Sequence, residues 1–257
     1  MISVIIPTYK EPDALDLCLR SCIEGQNSEN EIIVVADGFR EINSEVLNKY
    51  IGKIEILDIE ENVGMIRAMN YGIYNSSEES FLVVNDDNVF PTNWDIVMEQ
   101  YVQRGRVLTP NQIEPTPSMF RQFVIKDLGR DPKTFDLNTF QAFERITSEK
   151  KLEPTGHTPP FAMYKKDYLM VGGWDENYPG PWVVDWDFFL KCELAGFEMM
   201  RTYDAHFYHF VSLGTTDTPE RIAEKQRIEQ ECHEYFEYKW GQKARHDPYN
   251  NSKMLRF

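Results

Sequence analysis

The run Asn85-Asp86-Asp87-Asn88 follows four apolar residues, Phe81-Leu82-Val83-Val84. A buried strand that ends in adjacent carboxylates sets negative charge at one edge of a sheet, where the groups repel and resist desolvation. A cation relieves both costs, and a hard divalent metal carrying a phosphate substrate suits oxygen ligands. A solvated acidic turn is the plainer alternative, because turns favour Asp and Asn. Two further polar clusters weigh against it by their placement. Pro7-Thr8-Tyr9 closes the apolar run Ser3–Pro7, and Asp37-Gly38 closes Glu31–Ala36.

Such clusters need a scaffold that gathers strand ends. Ser3–Pro7 reads as a first strand, followed by a helix from about Asp13 to Ile23 with Ala14, Leu17, Cys18 and Ser21 at helical spacing. Glu31–Ala36 reads as a second buried strand, 44–51 as a helix and Lys53–Asp58, which alternates, as an edge strand. A helix over 64–74, a strand over Phe81–Asn85 and a helix over 93–103 complete the first half. Repeated β-α units with short connections predict an α/β fold, a largely parallel sheet with helices on both faces. Ligands bind such sheets at the carboxyl ends of the strands, where all three polar clusters fall.

Composition agrees with one large α/β domain: 257 residues, 42% hydrophobic and 13% aromatic, supply a sizeable core. No apolar stretch is long enough for a membrane span, and the N-terminus reads as a strand, not as a signal peptide. The formal net charge of −15 argues against nucleic acid as a partner and against docking on an anionic membrane by charge alone. The four cysteines have neither disulfide-scaffold density nor zinc spacing, and Cys18 and Cys22 lie one helical turn apart on an apolar face. A reducing, cytoplasmic compartment fits best, free or peripheral to a membrane.

Beyond Pro110 the pattern loosens. Pro115 and Pro117 interrupt it, a short amphipathic helix spans about 135–146, and 154–160 is loop-like. Gly172-Gly173-Trp174-Asp175 reads as a turn, and a helix runs from about Asp185 to Ala195. Pro219 to Trp240 reads as a charged amphipathic helix, with Thr218 as N-cap and Pro219 in the first turn. Its Ile222, Ile228, Cys232 and Phe236 form an apolar stripe for its own domain or for a second copy, as in a homodimer.

Taken in order, Ser3-Val4-Ile5-Ile6-Pro7-Thr8-Tyr9-Lys10-Glu11, the strand ending Ala36-Asp37-Gly38, Asn62-Val63-Gly64, Asn85-Asp86-Asp87, Gly173-Trp174-Asp175-Glu176 and Asp185-Trp186-Asp187 resemble a family 2 glycosyltransferase. The resemblance covers about residues 1–215. It implies the GT-A fold and transfer with inversion, and divides the chain into a nucleotide-binding half (about 1–110), an acceptor-binding half (about 111–215) and a C-terminal helical extension (216–257).

The resemblance also implies residue roles. Pro7, Thr8, Tyr9 and Glu11 match the loop that holds the donor nucleoside, and Asp37 matches the carboxylate that pairs with a base imide, as in UDP or dTDP. Many relatives carry a second acid where Ala36 stands. Asn85-Asp86-Asp87 matches the metal motif with Asn at its first carboxylate: Asp87 becomes the ligand of Mn2+ or Mg2+, while Asn85 and Asp86 face the donor. His209 matches a histidine that completes the metal shell in some members. His206, three residues earlier on a strand, points to the other face. Arg67, in the first turn of a helix, is either a phosphate ligand or an ordinary exposed cation. Asp185 matches the general base of a Glu-Asp-x-Asp signature in which Val184 replaces the glutamate. Asp187 is left to steady the helix start or to bind acceptor, or both aspartates cap the helix. Trp182 and Trp186 form a sugar-stacking wall or belong to the core.

The expectation is therefore a metal-dependent enzyme that moves a sugar from a nucleotide-diphospho-sugar to a hydroxyl of a glycan, lipid-linked or protein-linked acceptor. A dinucleotide-dependent oxidoreductase lacks its G-x-G-x-x-G after the first strand. A sugar nucleotidyltransferase needs a glycine-rich basic loop where Pro7-Thr8-Tyr9 stands. The alternative within the fold is a catalytically silent, sugar-nucleotide- or glycan-binding relative.

Overall fold

A computed structural model describes residues 1–38, 40–118, 122–211 and 218–244. In chain order the elements are β1 (Ser3–Thr8), α1 (Pro12–Gly25), β2 (Glu31–Asp37), α2 (Arg40–Lys49), β3 (Glu55–Ile59), α3 (Met65–Asn75), β4 (Ser80–Val83), β5 (Asn88–Val89) and α4 (Trp94–Tyr101). They continue as β6 (Arg106–Glu114), β7 (Val124–Ile125), α5 (Leu137–Thr147), β8 (Leu152–Glu153), β9 (Phe161–Tyr164), α6 (Lys165–Met170), α7 (Val184–Leu194), β10 (Glu198–His209) and α8 (Pro219–Trp240).

The strands form one sheet in the order β3-β2-β1-β4-β9-β6-β10-β5, with β7 beside β6 and β8 beside β10. β1, β2, β3 and β4 run parallel, so their carboxyl ends share one edge. β9 enters antiparallel to both β4 and β6, and β10 returns parallel to β6.

Period-2 side-chain alternation explains why the strands are apolar throughout. Ile5, Ile33, Val35, Phe81 and Val83 point to one face, packed with residues of α3, α6, α7 and α8. Val4, Ile6, Ile32, Val34, Leu82 and Val84 point to the other, beneath α1, α2 and α4. Gly72 lets α3 lie close on this sheet, since a Cβ there would stand 2.4 Å from Ile5 Cγ2. A third cluster places Phe135 and Phe140 against Val89, Ile113, Tyr208 and Phe210.

One expectation changes, and one alternative left open is decided. The chain does not loosen at Pro110: β6 continues through it to Glu114, and every residue from Val107 to Glu114 is buried. The ladder tolerates the proline beside an irregularity, because the β6–β10 register shifts between Thr202 and His206 just after Pro110 pairs with Thr202. The stripe of α8 covers its own domain. Cys232 and Phe236 are fully buried in the core cluster of α7, so this face is not available to a second copy, and Ile222 lies outside it, exposed. Among the described residues no helix is long and apolar enough to cross a membrane.

Candidate active site

The parallel edge opens into a cavity of about 430 Å³ lined by Pro7, Thr8 and Tyr9 from the end of β1, Lys10 and Glu11 beyond it, Asp37 from β2, and Asn85, Asp86 and Asp87 beyond β4. Eight of the residues expected at a donor and metal site therefore line one cavity. Asn62, Gly64 and Met65 line it as well.

Asp37 is buried, and its carboxylate accepts hydrogen bonds from Val63 N (2.7 Å), Gly64 N (2.9 Å) and Asn62 Nδ2 (2.9 Å). Burial raises its pKa, and the two backbone donors work against that rise. The same carboxylate thus ties the loop after β3 to the end of β2. Gly38 permits the approach: its φ is +72°, and a Cβ would meet Asn62 N at 2.8 Å. The Tyr9 ring is partly exposed and carries Lys10 Nζ at 4.6 Å from its centre.

Charge is least balanced at the end of β4. Thr8 Oγ1 donates to Asp86 at 2.7 Å. Burial first, and the neighbouring Asp87 second, push the Asp86 carboxyl up to about 7. Burial, Asp13 and Asp87 also raise Glu11. Asn85 Oδ1 and Asp87 Oδ1 are buried without a hydrogen-bond partner. Opposite them, His209 at the end of β10 sets Nε2 3.5 Å from Asp87 Oδ2 and Nδ1 2.9 Å from Glu114 Oε1. Burial alone would lower the imidazole pKa, but the two carboxylates outweigh it and push it up to about 10. His206 points away, toward Ser148 and Glu144.

These groups meet one test for a divalent cation. Among the described residues no group of three His, Cys, Asp or Glu side chains is gathered to hold a metal unaided. A carboxylate oxygen without a partner, beside an imidazole whose other nitrogen meets a carboxylate, is instead a partial shell. A metal that shares its coordination with substrate phosphates and water needs only one or two protein ligands.

A second cavity of about 510 Å³ adjoins the first through Gly64 and Met65. Arg67 lies here, not in the first cavity, exposed and 3.8 Å from Glu176, with Tyr178, Pro179 and Pro181 on the far wall. The segment that forms this wall leads into α7. Val183 immediately before the helix has φ +53°, a costly conformation for a β-branched residue and one that gathers at functional sites. Two residues on, Asp185 Oδ1 accepts from Trp186 N at 2.9 Å, and burial pushes its carboxyl up to about 6.

Asp185 is in the lining of neither cavity, and Asp187 and the two tryptophans also lie elsewhere. Asp187 is fully buried and bonded to Tyr178, Trp240 and Lys239, inside the protein and not on an open acceptor surface. Trp186 is buried with its ring nearly perpendicular to that of His233 of α8, and Trp182 packs against the core. Sequence reasoning missed Glu114, hidden at the end of a strand read as loop, and the loop donors that engage Asp37. An Asp37…Asn62 pairing left no local signal, because β3 separates the two.

Residues 3–172 match the family model described as glycosyl transferase family 2. An uncharacterized glycosyltransferase of Haemophilus influenzae is 26% identical over 195 residues, 74% of this chain and 61% of that protein. The chain thus spans about three-fifths of that relative's length. Among solved structures, the mannosyltransferase PcManGT from Pyrobaculum calidifontis, in complex with GDP-Man and Mn2+, superposes with a TM-score of 0.60 at 14% identity, over 98% of this chain and 67% of that one. GalNAc-T7 with UDP, GalNAc and Mn2+ superposes with a TM-score of 0.61 at 13% identity, over 81% of this chain and 43% of that one. At these identities the likeness establishes the GT-A fold alone.

Proposed function

The chain belongs to glycosyl transferase family 2, and from that premise we propose that it transfers a sugar from a nucleotide-diphospho-sugar to an acceptor hydroxyl by a single inverting displacement. The observation that carries this reading is the convergence of Thr8, Asp37, Asn85, Asp86 and Asp87 on one cavity, with polar atoms of Asn85 and Asp87 left unpartnered.

The nucleoside lies along Pro7, Thr8, Tyr9 and Asp37, and Glu11 closes the loop side. Asp37 already receives two backbone N–H groups and the Asn62 amide, so a base N–H takes the last of about four acceptor sites of its carboxylate. That favours a uracil or thymine nucleotide. Asp87 and His209 would hold a divalent cation, Mn2+ or Mg2+, which would displace the Nε2 proton of His209 while its Nδ1–H stays donated to Glu114. Bound there, the ion supplies positive charge to the leaving diphosphate. Asn85 and Asp86 meet the ribose or the sugar.

The acceptor enters from the second cavity, between Arg67 and the Tyr178–Pro181 wall. Its hydroxyl oxygen attacks the anomeric carbon as the bond to the diphosphate oxygen breaks, and Asp185 takes the hydroxyl proton. A carboxyl held near 6 is ionised at neutral pH and still basic enough to accept a proton in the transition state.

A silent, ligand-binding relative is the second reading, favoured by Ala36, Asn85 and Val184 at motif positions and by the absence of a three-ligand cluster among the described residues. A thermal-shift panel of UDP, dTDP, GDP, CDP and ADP, each with and without Mn2+, tests the site without knowledge of sugar or acceptor. The donor reading expects metal-dependent stabilisation by one base. No shift with any of the five would remove it.

A further inference from the structure

α8 and the segment that carries Asp185 both lie beyond the residues matched to the family, and α8 touches that segment at four places. Lys239 Nζ sits 2.6 Å from Asp175 Oδ2 and 2.8 Å from Asp187 Oδ1. Trp240 Nε1 donates to Asp187 Oδ1 at 2.8 Å. Tyr235 donates to Asp175 at 3.2 Å and packs edge-on against Tyr178, ring centres 4.7 Å apart. Gly180 lies so close beneath Ile228 that a Cβ would stand 2.5 Å from its Cγ2.

The charges balance within this group. Asp175 and Asp187 face Lys239 and Lys191, the latter 3.7 Å from Asp187 Oδ2 and bonded to the Gly173 carbonyl. Asp187 is fully buried, and a buried carboxylate stripped of one cation is costly. α8 therefore does more than cover apolar surface. Its last turn fixes both ends of the stretch from Asp175 to Asp187, which includes the strained Val183 and the wall of the second cavity.

Resting on the transferase reading above, we infer that Lys239, with Trp240, is a positioning residue for Asp185: by clamping Asp187 to Asp175 it holds the start of α7 so that the base faces the acceptor. Lys239 touches neither the donor cavity nor Asp185; its effect runs through Asp187.

Lys239→Met removes the charge and keeps the length, Lys239→Arg keeps the charge, and Trp240→Phe removes one donor while keeping most of the ring. Hydrogen exchange of each folded variant is followed over residues 175–190, beside nucleoside-diphosphate binding and steady-state transfer. Lys239→Met is expected to speed exchange in that segment about tenfold, leaving β1–β4 protected. It is expected to lower kcat on the order of 10²-fold, the scale of a misplacement near 1 Å, with donor KM and nucleotide-induced stabilisation unchanged. Lys239→Arg should recover most of the loss, and Trp240→Phe should show a smaller one of the same kind. If Lys239→Met does not fold, Trp240→Phe carries the same comparison. Unchanged local exchange, or faster exchange with full turnover, overturns the positioning role and leaves the transferase reading standing. Failure of the unmodified protein to bind any nucleoside diphosphate overturns the transferase reading itself.

Discussion

Nε2 of His209 lies 3.5 Å from Oδ2 of Asp87. The contact joins the far end of β10 to the loop that leaves β4, and the Phe210 N–H donates to the Asp87 carbonyl at 3.3 Å beside it. Behind the ring, Glu114 meets Nδ1, so the imidazole is oriented by two carboxylates from two other parts of the chain. With a carboxylate at each nitrogen and a pKa pushed up to about 10, the ring carries both protons in the ligand-free protein. A divalent cation between Asp87 and His209 would replace the Nε2 proton and leave Nδ1–H donated to Glu114.

Asp87→Ala and His209→Ala should therefore both abolish the Mn2+ dependence of nucleoside-diphosphate binding. Glu114→Gln should weaken Mn2+ affinity by about 10–100-fold while leaving the fold intact, as loss of a supporting hydrogen bond does. Titration of Mn2+ followed by electron paramagnetic resonance reads this without any turnover. Identical affinity in the Glu114 variant would reduce its contact with His209 to packing.

Asp185→Asn should lower kcat by about 10²–10⁴-fold, the usual contribution of a general base, without changing nucleotide-induced stabilisation. The unmodified enzyme should show an acidic limb near 6, because burial raises the Asp185 carboxyl to about that value and only its ionised form accepts a proton. Below the limb the rate falls about tenfold per pH unit, and above it the rate is level. A limb near 4 would mean that Asp185 is solvated during turnover or is not the base.

The first half of the fold is legible because its strands are unbroken apolar runs and its helices repeat with a clear period. β6 is not, for a physical reason. Thr109, Asn111, Gln112 and Glu114 are polar but buried, each satisfied by a partner that no local pattern reveals: the Thr158, Gln122 and Pro159 carbonyls and His209. A polar run with Pro110 in it reads as loop until those partners are known. The strand-end clusters at Thr8, Asp37 and Asp87 follow from chemistry and periodicity together. The position of Asp187 does not, since its charge is answered from α8, far along the chain.

Asp37 also has a structural load that its proposed contact with the base does not disclose. Asp37→Ala leaves Val63 N and Gly64 N without their acceptor, a loss of about 2 kcal/mol for two part-buried hydrogen bonds to a charged group. The melting temperature of the ligand-free protein should fall by roughly 4–8 °C. Asn62→Ala, which removes one of the donors, should cost less. An Asp37→Ala protein that melts with the wild type but fails to bind nucleotide would assign the residue to the ligand alone.

His206 offers a pH test remote from the cavity. Its side chain is 1% exposed, and burial, with the nearby Arg201 charge, lowers its pKa to about 4. An unfolded histidine titrates near ~6.5, so between these values the unfolded chain binds a proton that the native fold refuses. Its contribution to stability is fully present above the unfolded value and is lost as pH falls toward 4, on the order of 3 kcal/mol in all. Glu144, whose carboxyl burial raises, acts in the opposite direction, so the wild-type profile alone mixes the two. Comparison with His206→Asn separates them. The variant should be the less stable protein at pH 7, through lost packing, and the gap should narrow by about 2 kcal/mol at pH 5, where only the wild type is penalised. Urea unfolding at the two pH values measures the gap. A gap of equal size at both would mean that His206 is protonated in the folded protein.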